Sequence, residues 1–531
     1  MPKTRRLLRG EITYSAAKDK EVNILHRLEY YNQEIQFFSL LDKSRDWIRA
    51  VVSYHLNLRS SDYCHVADVS DWLHGSFNVC IPVTIVDWKG KQQSGDRVLI
   101  RFPLPYRVGE SYHPGNGDEK LRCEAATYSW LQDNCPDVPI PQLYGFGLST
   151  GETFTQVTNL PLWMRCIHFL RRNILTLVGY PLPSRYVRRH GSAVASGDGP
   201  LPFGYLLTEY IESTRGEMLS KTWGIKRDDL RLRTNFLRDL SRIFLSLARH
   251  PLPKIGSFTI DNNGVLSLTN RPLQLEIQDL ENERIPTDIP RDYTYSTVDS
   301  YVADILRYHD SRIRHQPNAI NDSGDYLYQI SALTAMRAIS PLLLRQDLRR
   351  GPYIFMLTDI HQSNIFVNKD WNITSLVDLE WACSIPVEMV QPPYWLTDKA
   401  VDQLVSEEYN ESRLEFMNVL TEVEKETSTS LRGKNQTTTA FKLSAIMEET
   451  WQKGTFWFTL ALFSPTGLFS IFEKQIQPLF TKSCPDHDPF HEIMPWYWSL
   501  DIVSTLKLKT ADKKQYDKDL QQAFESGCLT D

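Results

Sequence analysis

The apolar residues of the first sixty positions recur at helical spacing. Leu25, Leu28, Phe38, Leu41, Val51 and Val52 predict one or two helices over 21–58. Alternation with β-branched residues then takes over. FNVCIPVTIVDW (77–88) and RVLIRFPL (97–104) flank the turn-rich KGKQQSGD and predict an antiparallel hairpin. A helix fits GDEKLRCEAATYSWLQDNC (117–135), with acids in its first turn. PDVPIPQLYGFG reads as a proline-punctuated loop entering a strand, and YLLTEYIE (205–212) as a further short strand. Beyond residue 212 the pattern is mostly helical. The clearest case is 227–250, through Leu237, Leu240, Phe244 and Leu247, stopped by Pro-Leu-Pro. Helices are predicted over 294–315, 324–345, 398–427, 440–463 and 511–526, a hairpin over 257–268, and a polar surface loop over 427–439. A strand-rich first part followed by a helix-rich second part predicts an α+β chain of two lobes with a ligand cleft between them.

Two segments bear on membranes. TFWFTLALFSPTGLFSIF (455–472) is apolar for the length of a span, but Pro465 and Gly467 divide it. It predicts two short buried helices rather than a transmembrane helix. An insertion at about 148–203 carries six arginines and no acid between residues 153 and 197. Trp163, Ile167, Leu170, Ile174, Leu177 and Val178 could line one helix face there. The expectation is a helical insertion packed on its own domain with arginines in solvent. The alternative is a basic element at 163–190 that docks on a membrane surface or an acidic partner.

Composition narrows the class. The 531 residues are 41% hydrophobic and 23% charged, with a formal net charge of −6, as in ordinary globular chains. That balance argues against a dedicated nucleic-acid binder. The eight cysteines are scattered without a CxxC pair, and no apolar run follows the basic start MPKTRRLLRG, which reads as reduced thiols in a cytoplasmic protein. The same basic start leaves a mitochondrial location as the alternative. Cys484, Asp486, His487, Asp488, His491 and Glu492 sit close together, but Pro485 and Pro489 interrupt them and they read as a polar loop. Trp496, Tyr497 and Trp498 read as packing, and the glutamates between 407 and 426 as a solvated helix face.

The stretch that carries chemistry is YIFMLTDIHQSNIFVNKDWNITSLVDLEWA (353–382). Two strand-like runs, Ile365–Val367 and Thr374–Val377, are joined by NKDWN. Asp359 lies just before the first run with Asn364 five residues on, and Asp378 and Glu380 follow the second. An acid, an amide and a second acid at the ends of one hairpin suit phosphoryl transfer. One Asp takes the proton of an attacking hydroxyl, while Asn and Asp offer hard oxygens to Mg²⁺.

This segment resembles the catalytic hairpin of the aminoglycoside phosphotransferase and choline-kinase-like family, of the protein-kinase-like superfamily, and most closely its large fungal branch. The resemblance covers roughly residues 65–400. It implies a bilobal protein-kinase-like fold with a helical N-terminal extension (1–60), an N-lobe (61–212) and a large helical C-lobe (213–531). It implies Asp359 as catalytic base, Asn364 and Asp378 as metal ligands, and Glu380 as the second acidic position. Upstream, LHGSFNVCIPV is similar to the phosphate-covering loop at Gly75, Ser76, Phe77 and Asn78. Arg101 stands where the family has its phosphate-binding Lys, and Glu124 is placed to pair with it. Glu209, Tyr210 and Ile211 fall at the adenine-binding hinge. Leu357 replaces a His that many members carry two residues before the catalytic Asp. The implied activity is transfer of the ATP γ-phosphoryl group, with Mg²⁺, to a hydroxyl of a small molecule. The alternative is a pseudokinase or nucleotide-binding interaction module.

Overall fold

The computed structural model describes residues 4–88, 95–189, 201–433, 441–481 and 489–526. Helices α1 (Tyr30–Lys43) and α2 (Arg45–Leu56) precede an antiparallel sheet. Its main strands are β1 (Asn78–Ile85), β2 (Arg97–Pro103), β3 (Leu143–Gly147), β4 (Thr153–Gln156), β5 (Tyr186–Arg189) and β6 (Tyr205–Glu209). Helix α3 (Asn116–Asn134) connects β2 to β3, and α4 (Leu162–Val178) connects β4 to β5. The spatial order is Cys64–Val66, β1, β2, β6, β3, β4, β5. Strand alternation sorts the side chains. Val79, Ile81, Val83, Val98, Ile100 and Phe102 join Phe37, Leu41, Ile48 and Val52 of α1 and α2 in one buried cluster. Arg101, between Ile100 and Phe102, consequently faces the other side, toward α3.

Close approach of α2 to this sheet requires glycine at Gly145. A Cβ there would overlap the His55 imidazole and lie 2.7 Å from the Phe154 carbonyl oxygen. His55 is buried and hydrogen-bonded to Thr155 Oγ1 (2.9 Å) and Tyr205 Oη (2.8 Å). Burial holds its pKa down at about 3, so it is neutral. Gly145→Ala is expected to lower stability by about 1–3 kcal/mol, the usual cost of overpacking, read as an earlier urea midpoint at unchanged slope.

The second lobe is mostly helical: α5 (Leu230–Ala248), α6 (Leu275–Asn282), α7 (Val298–His315), α8 (Ser323–Leu343), α9 (Ser406–Gly433) and α10 (Ile502–Ser526). Four short strands lie between α8 and α9: β7 (Tyr353–Leu357), β8 (Ile365–Val367), β9 (Ile373–Leu376) and β10 (Ala382–Pro386). β8 pairs with β9, and β7 with β10, both antiparallel. This is a bilobal α+β organisation, strand-rich then helical.

Several expectations hold in detail. The 77–104 hairpin, the 257–268 hairpin and the helix at 117–135 are all present. The apolar run 455–472 contains two short helices, Thr455–Leu462 and Leu468–Ile471, around Pro465. Among the described residues no helix is long and apolar enough to cross a membrane.

Others are corrected. The first sixty residues are not helical throughout, since Thr4–Arg6 and Glu11–Thr13 form a small hairpin. The polar loop expected over 427–439 is helix as far as Gly433, the end of α9, and its remainder lies outside the described residues. Glu407, Glu408, Glu411, Glu422 and Glu426 of α9 are exposed as expected, and Glu424 is the buried exception. Glu415 pairs with Arg233, Glu426 with Arg238 (2.7 Å), and the buried Glu424 accepts from Leu443 N (2.7 Å). Of the aromatic trio only Trp498 packs, donating to Asp310 (2.7 Å), whereas Trp496 and Tyr497 are exposed. Most of the Cys484–Glu492 cluster lies outside the described residues, and no group of three His, Cys, Asp or Glu residues suited to a metal occurs among those described.

The N-terminal region touches both lobes. Ile12, Ala17 and Ile24 form a buried cluster with Tyr516, Leu520 and Phe524 of α10. Asn318 donates to the carbonyls of Lys20 and Val22 (3.2 and 3.1 Å). From Tyr30 onward the same segment packs under the first-lobe sheet.

Candidate active site

The β8–β9 hairpin owes its shape to Asn368. Its Oδ1 accepts from the amides of Asp370 (2.9 Å) and Asn372 (3.0 Å), an Asx-type closure. Trp371 takes a left-handed backbone, φ 58°, within this turn and stacks on Trp223 at 5.5 Å, which ties the turn to the core. At the other end of the hairpin, Val377 N donates to Asn364 O (2.9 Å) and Leu376 N to Pro139 O (2.8 Å). Asp359, Asn364, Asp378 and Glu380 thereby come together at one mouth.

Asn364 is buried and donates its Nδ2 to the Asp359 carbonyl (2.9 Å) and weakly to its carboxylate (3.5 Å). Asp378 has φ 62°, a left-handed conformation that Asp tolerates and that is frequent at functional turns. The loop carrying Asp359 is held by its neighbour Thr358. Thr358 donates both its amide (3.0 Å) and its hydroxyl (2.6 Å) to the Trp381 carbonyl, while Leu357 is simply buried.

Across the cleft, Arg101 is the centre of a buried ion cluster. Its guanidinium reaches Glu124 (2.5 Å), Glu380 (2.7 Å) and Asp378. Lys120 completes it. Its Nζ lies 2.9 Å from Glu380 Oε2 and 2.8 Å from Asn78 Oδ1, and it is wholly buried beside the rings of Phe77 and Trp381. Asn78 Nδ2 also donates to Glu380 Oε2 (2.8 Å), whereas Glu380 Oε1 is buried without a hydrogen-bond partner among the described residues.

Charge sets the protonation pattern. Burial raises the Asp359 pKa to about 8, and the fields of Asp378, Glu380 and Glu276 add to it. Asp378 also suffers burial, but Arg101 and Lys120 outweigh it and hold its carboxyl below the ordinary range. Glu380 is pushed up by burial and by Asp378. Glu124 is pushed up to about 7 by burial, against the pull of Arg101.

The remaining predicted residues lie at two places. In the loop before β1, the amides of Ser76 and Phe77 have no partner among the described residues, which leaves two adjacent N–H groups open to an anion. The Phe77 ring and Asn78 side chain turn inward, onto Trp381 and the Glu380 cluster. Gly75 closes the turn through N–H donation to Asn78 O (2.9 Å). At the end of β6, the Glu209 amide is already committed to Gln142 O (2.8 Å) and its carboxylate to Arg215. Tyr210 lies beneath Arg97 (3.9 Å), and Ile211 has both main-chain groups unengaged among the described residues.

Sequence reasoning missed three features. Lys120 sits one helical turn before Glu124, so the i,i+4 spacing on α3 was the available signal. His361, two residues after Asp359, has Nε2 3.9 Å from that carboxylate, and burial lowers its pKa. A cavity of about 590 Å³ opens beside Asp359 and is lined by Glu276, Asp279, Glu283, Asp402, Tyr394 and Trp395, among others. Three of its acids come from the α6 region, which carried no motif.

No protein-family model matches the chain, and no curated protein does. Solved structures similar to it include a thermostable mutant of aminoglycoside phosphotransferase APH(4)-Ia in ternary complex with AMP-PNP and hygromycin B. That match has 10% identity over 88% of this chain and 96% of that one, with a TM-score of 0.33. Plasmodium vivax ethanolamine kinase has 12% identity over 90% and 98%, with a TM-score of 0.37. An aminoglycoside phosphotransferase from Alicyclobacillus acidocaldarius has 11% identity over 86% and 94%, with a TM-score of 0.25. At these TM-scores none of them bears on function, and the reading of the site rests on its geometry.

Proposed function

We propose that the chain is a phosphotransferase that moves the ATP γ-phosphoryl group to a hydroxyl of a small molecule. The observation that carries this reading is the convergence of Asp359, Asn364 and Asp378 at one hairpin mouth, opposite the Arg101–Glu124 pair. In the proposed reaction the acceptor O–H gives its proton to the Asp359 carboxylate. The oxygen attacks the γ-phosphorus, the bond from that phosphorus to the β,γ-bridging oxygen breaks, and ADP leaves. The free amides of Ser76 and Phe77 suit the phosphates, and the free main-chain groups of Ile211 suit the adenine edge. The cavity beside Asp359 is where an acceptor would lie.

The donor set fits Mg²⁺. Asp378 and the Asn364 carbonyl are hard oxygens, and the unpartnered Glu380 Oε1 lies in the same cluster. Mg²⁺ is commonly held by one or two carboxylates plus substrate phosphates, so the lack of a three-acid cage among the described residues is compatible with it. When bound, it would neutralise phosphate charge; Asn364 and Asp378 are the residues proposed to hold it.

The alternative is a nucleotide-binding module without transfer. It is favoured by one observation: Arg101 already occupies Asp378 and Glu380. One experiment separates the readings. MgATP at about 100 times its dissociation constant adds roughly 2.7 kcal/mol to stability, seen as a raised melting temperature. A shift lost in Asp378→Ala and with EDTA, together with ADP release in a hydroxyl-acceptor screen, is the expected result. A shift without ADP release favours the module, and no shift at millimolar nucleotide defeats both.

A further inference from the structure

The arginine-only insertion does not pack as its sequence led us to expect. None of the residues of α4 is buried. Only Met164, His168, Arg172 and Leu175 turn partly toward the body. The helix is tethered by polar contacts, His168 Nε2 to the Ser184 carbonyl (2.9 Å) and Arg172 to Asp133 (3.1 Å). Its apolar stripe is left outside. Trp163, Ile167, Leu170, Ile174, Leu177 and Val178 are all more than half exposed, with Leu177 at 87%. At 100° per residue these six fall on an arc of about 100°, on the side away from the tethering residues.

Burying such a stripe is worth roughly 1.5–3 kcal/mol per large side chain, so a face of six left in water calls for an occupant. Charge identifies which. No acid occurs between 153 and 197. The two neighbouring acids, Asp133 and Glu152, are already engaged by Arg172, Arg185 and Arg188. Arg165 and Arg171 of α4 are exposed and have no acidic partner among the described residues. The surface is a protruding helix rather than a groove, with Trp163 near its start and Tyr180 just past its end, both exposed. A protruding apolar stripe, a cationic border at Arg171 and terminal aromatics match the chemistry of a bilayer interface bearing anionic lipid.

We propose that α4 lies in the interface of an anionic lipid bilayer and docks the first lobe there. The test is co-sedimentation of the full chain with vesicles of phosphatidylcholine, alone or with about 30 mol% phosphatidylserine. Binding is expected to the mixed vesicles and to weaken from about 0.1 to 0.5 M salt. Arg171→Gln should lower partition about fivefold. Leu170→Glu with Ile174→Glu should lower it about tenfold or more. None of these side chains is buried, so melting temperatures should not move. A second readout keeps the test open if one does: brominated lipid should quench wild-type fluorescence more than that of Trp163→Phe. Absence of binding, or binding that these substitutions leave unchanged, overturns the proposal. So does a concentration-dependent dimer abolished by Leu170→Glu in a chain that ignores vesicles, which would make the stripe a self-association face.

Discussion

Asp359→Ala is expected to lower turnover with an identified acceptor by about 10²–10⁴-fold, while MgATP still raises the melting temperature. The reason is position. Asp359 borders the cavity in which an acceptor would lie, and its side chain makes no ion pair with Arg101 that the nucleotide site depends on. Its environment gives a second signature. With the pKa raised to about 8, most of the carboxyl is protonated at pH 7, and only the ionised form can take a proton. The wild-type kcat/KM should therefore climb about tenfold per pH unit below about 8 and level off above it. Stability should run the other way. Between the ordinary Asp range and about pH 8 the folded state holds a proton that the unfolded state has lost. Stability therefore falls as pH rises through that window. Asp359→Asn should remove this part of the slope, which urea midpoints taken across the window would read. Wild-type turnover in Asp359→Ala would end the assignment.

Arg101→Met should be the most destabilising single change in the cleft. It strands Glu124 and Glu380, which are 1% and 0% exposed, beside Asp378. Removing one partner of a buried ion pair costs about 3–5 kcal/mol, because the remaining charge has neither water nor a counter-ion. Lys120 still serves Glu380, so Glu124 bears most of the loss. The Glu124 pKa is already about 7, and without Arg101 it should rise further. The folded state would then retain that proton over a wider range, and the deficit should deepen as pH rises through it. Adding Glu124→Gln should recover part of the loss, and the double-variant cycle should show a coupling of about 0.5–3 kcal/mol. Arg101→Lys should be intermediate, since an ammonium keeps the charge but not the planar fork that reaches three carboxylates. Equal stability of Arg101→Met and wild type would refute the cluster as described.

Local pattern accounts for what was legible in advance. Period-two alternation in 77–104 marks which face of each strand is buried, and thereby turns Arg101 toward α3. Asn368 and the short runs around it give the hairpin that gathers Asp359, Asn364 and Asp378. What escaped depends on contacts distant in sequence. Glu276, Asp279 and Glu283 reach the Asp359 cavity only because α6 is folded against it, and nothing in their own segment announces that. The pairing of Glu415 and Glu426 of α9 was equally illegible, because their arginine partners lie on α5, more than 170 residues earlier. At α4 apolar spacing predicts packing on the body, and the structure leaves that face in solvent. Periodicity reports that a helix has an apolar face, not which surface covers it.

The N-terminal segment changes how the cleft can breathe. With residues 12–24 fastened to α10 and 30–56 under the sheet, the lobes are joined by this strap as well as by the crossing after β6. Two suspension points constrain rotation to the axis through both, so opening becomes a twist rather than a free swing. Residues 12–24 and α10 are thus part of the bearing. A bulky fusion at either end would load the strap and register in the cleft as altered nucleotide exchange, without touching a residue of the site.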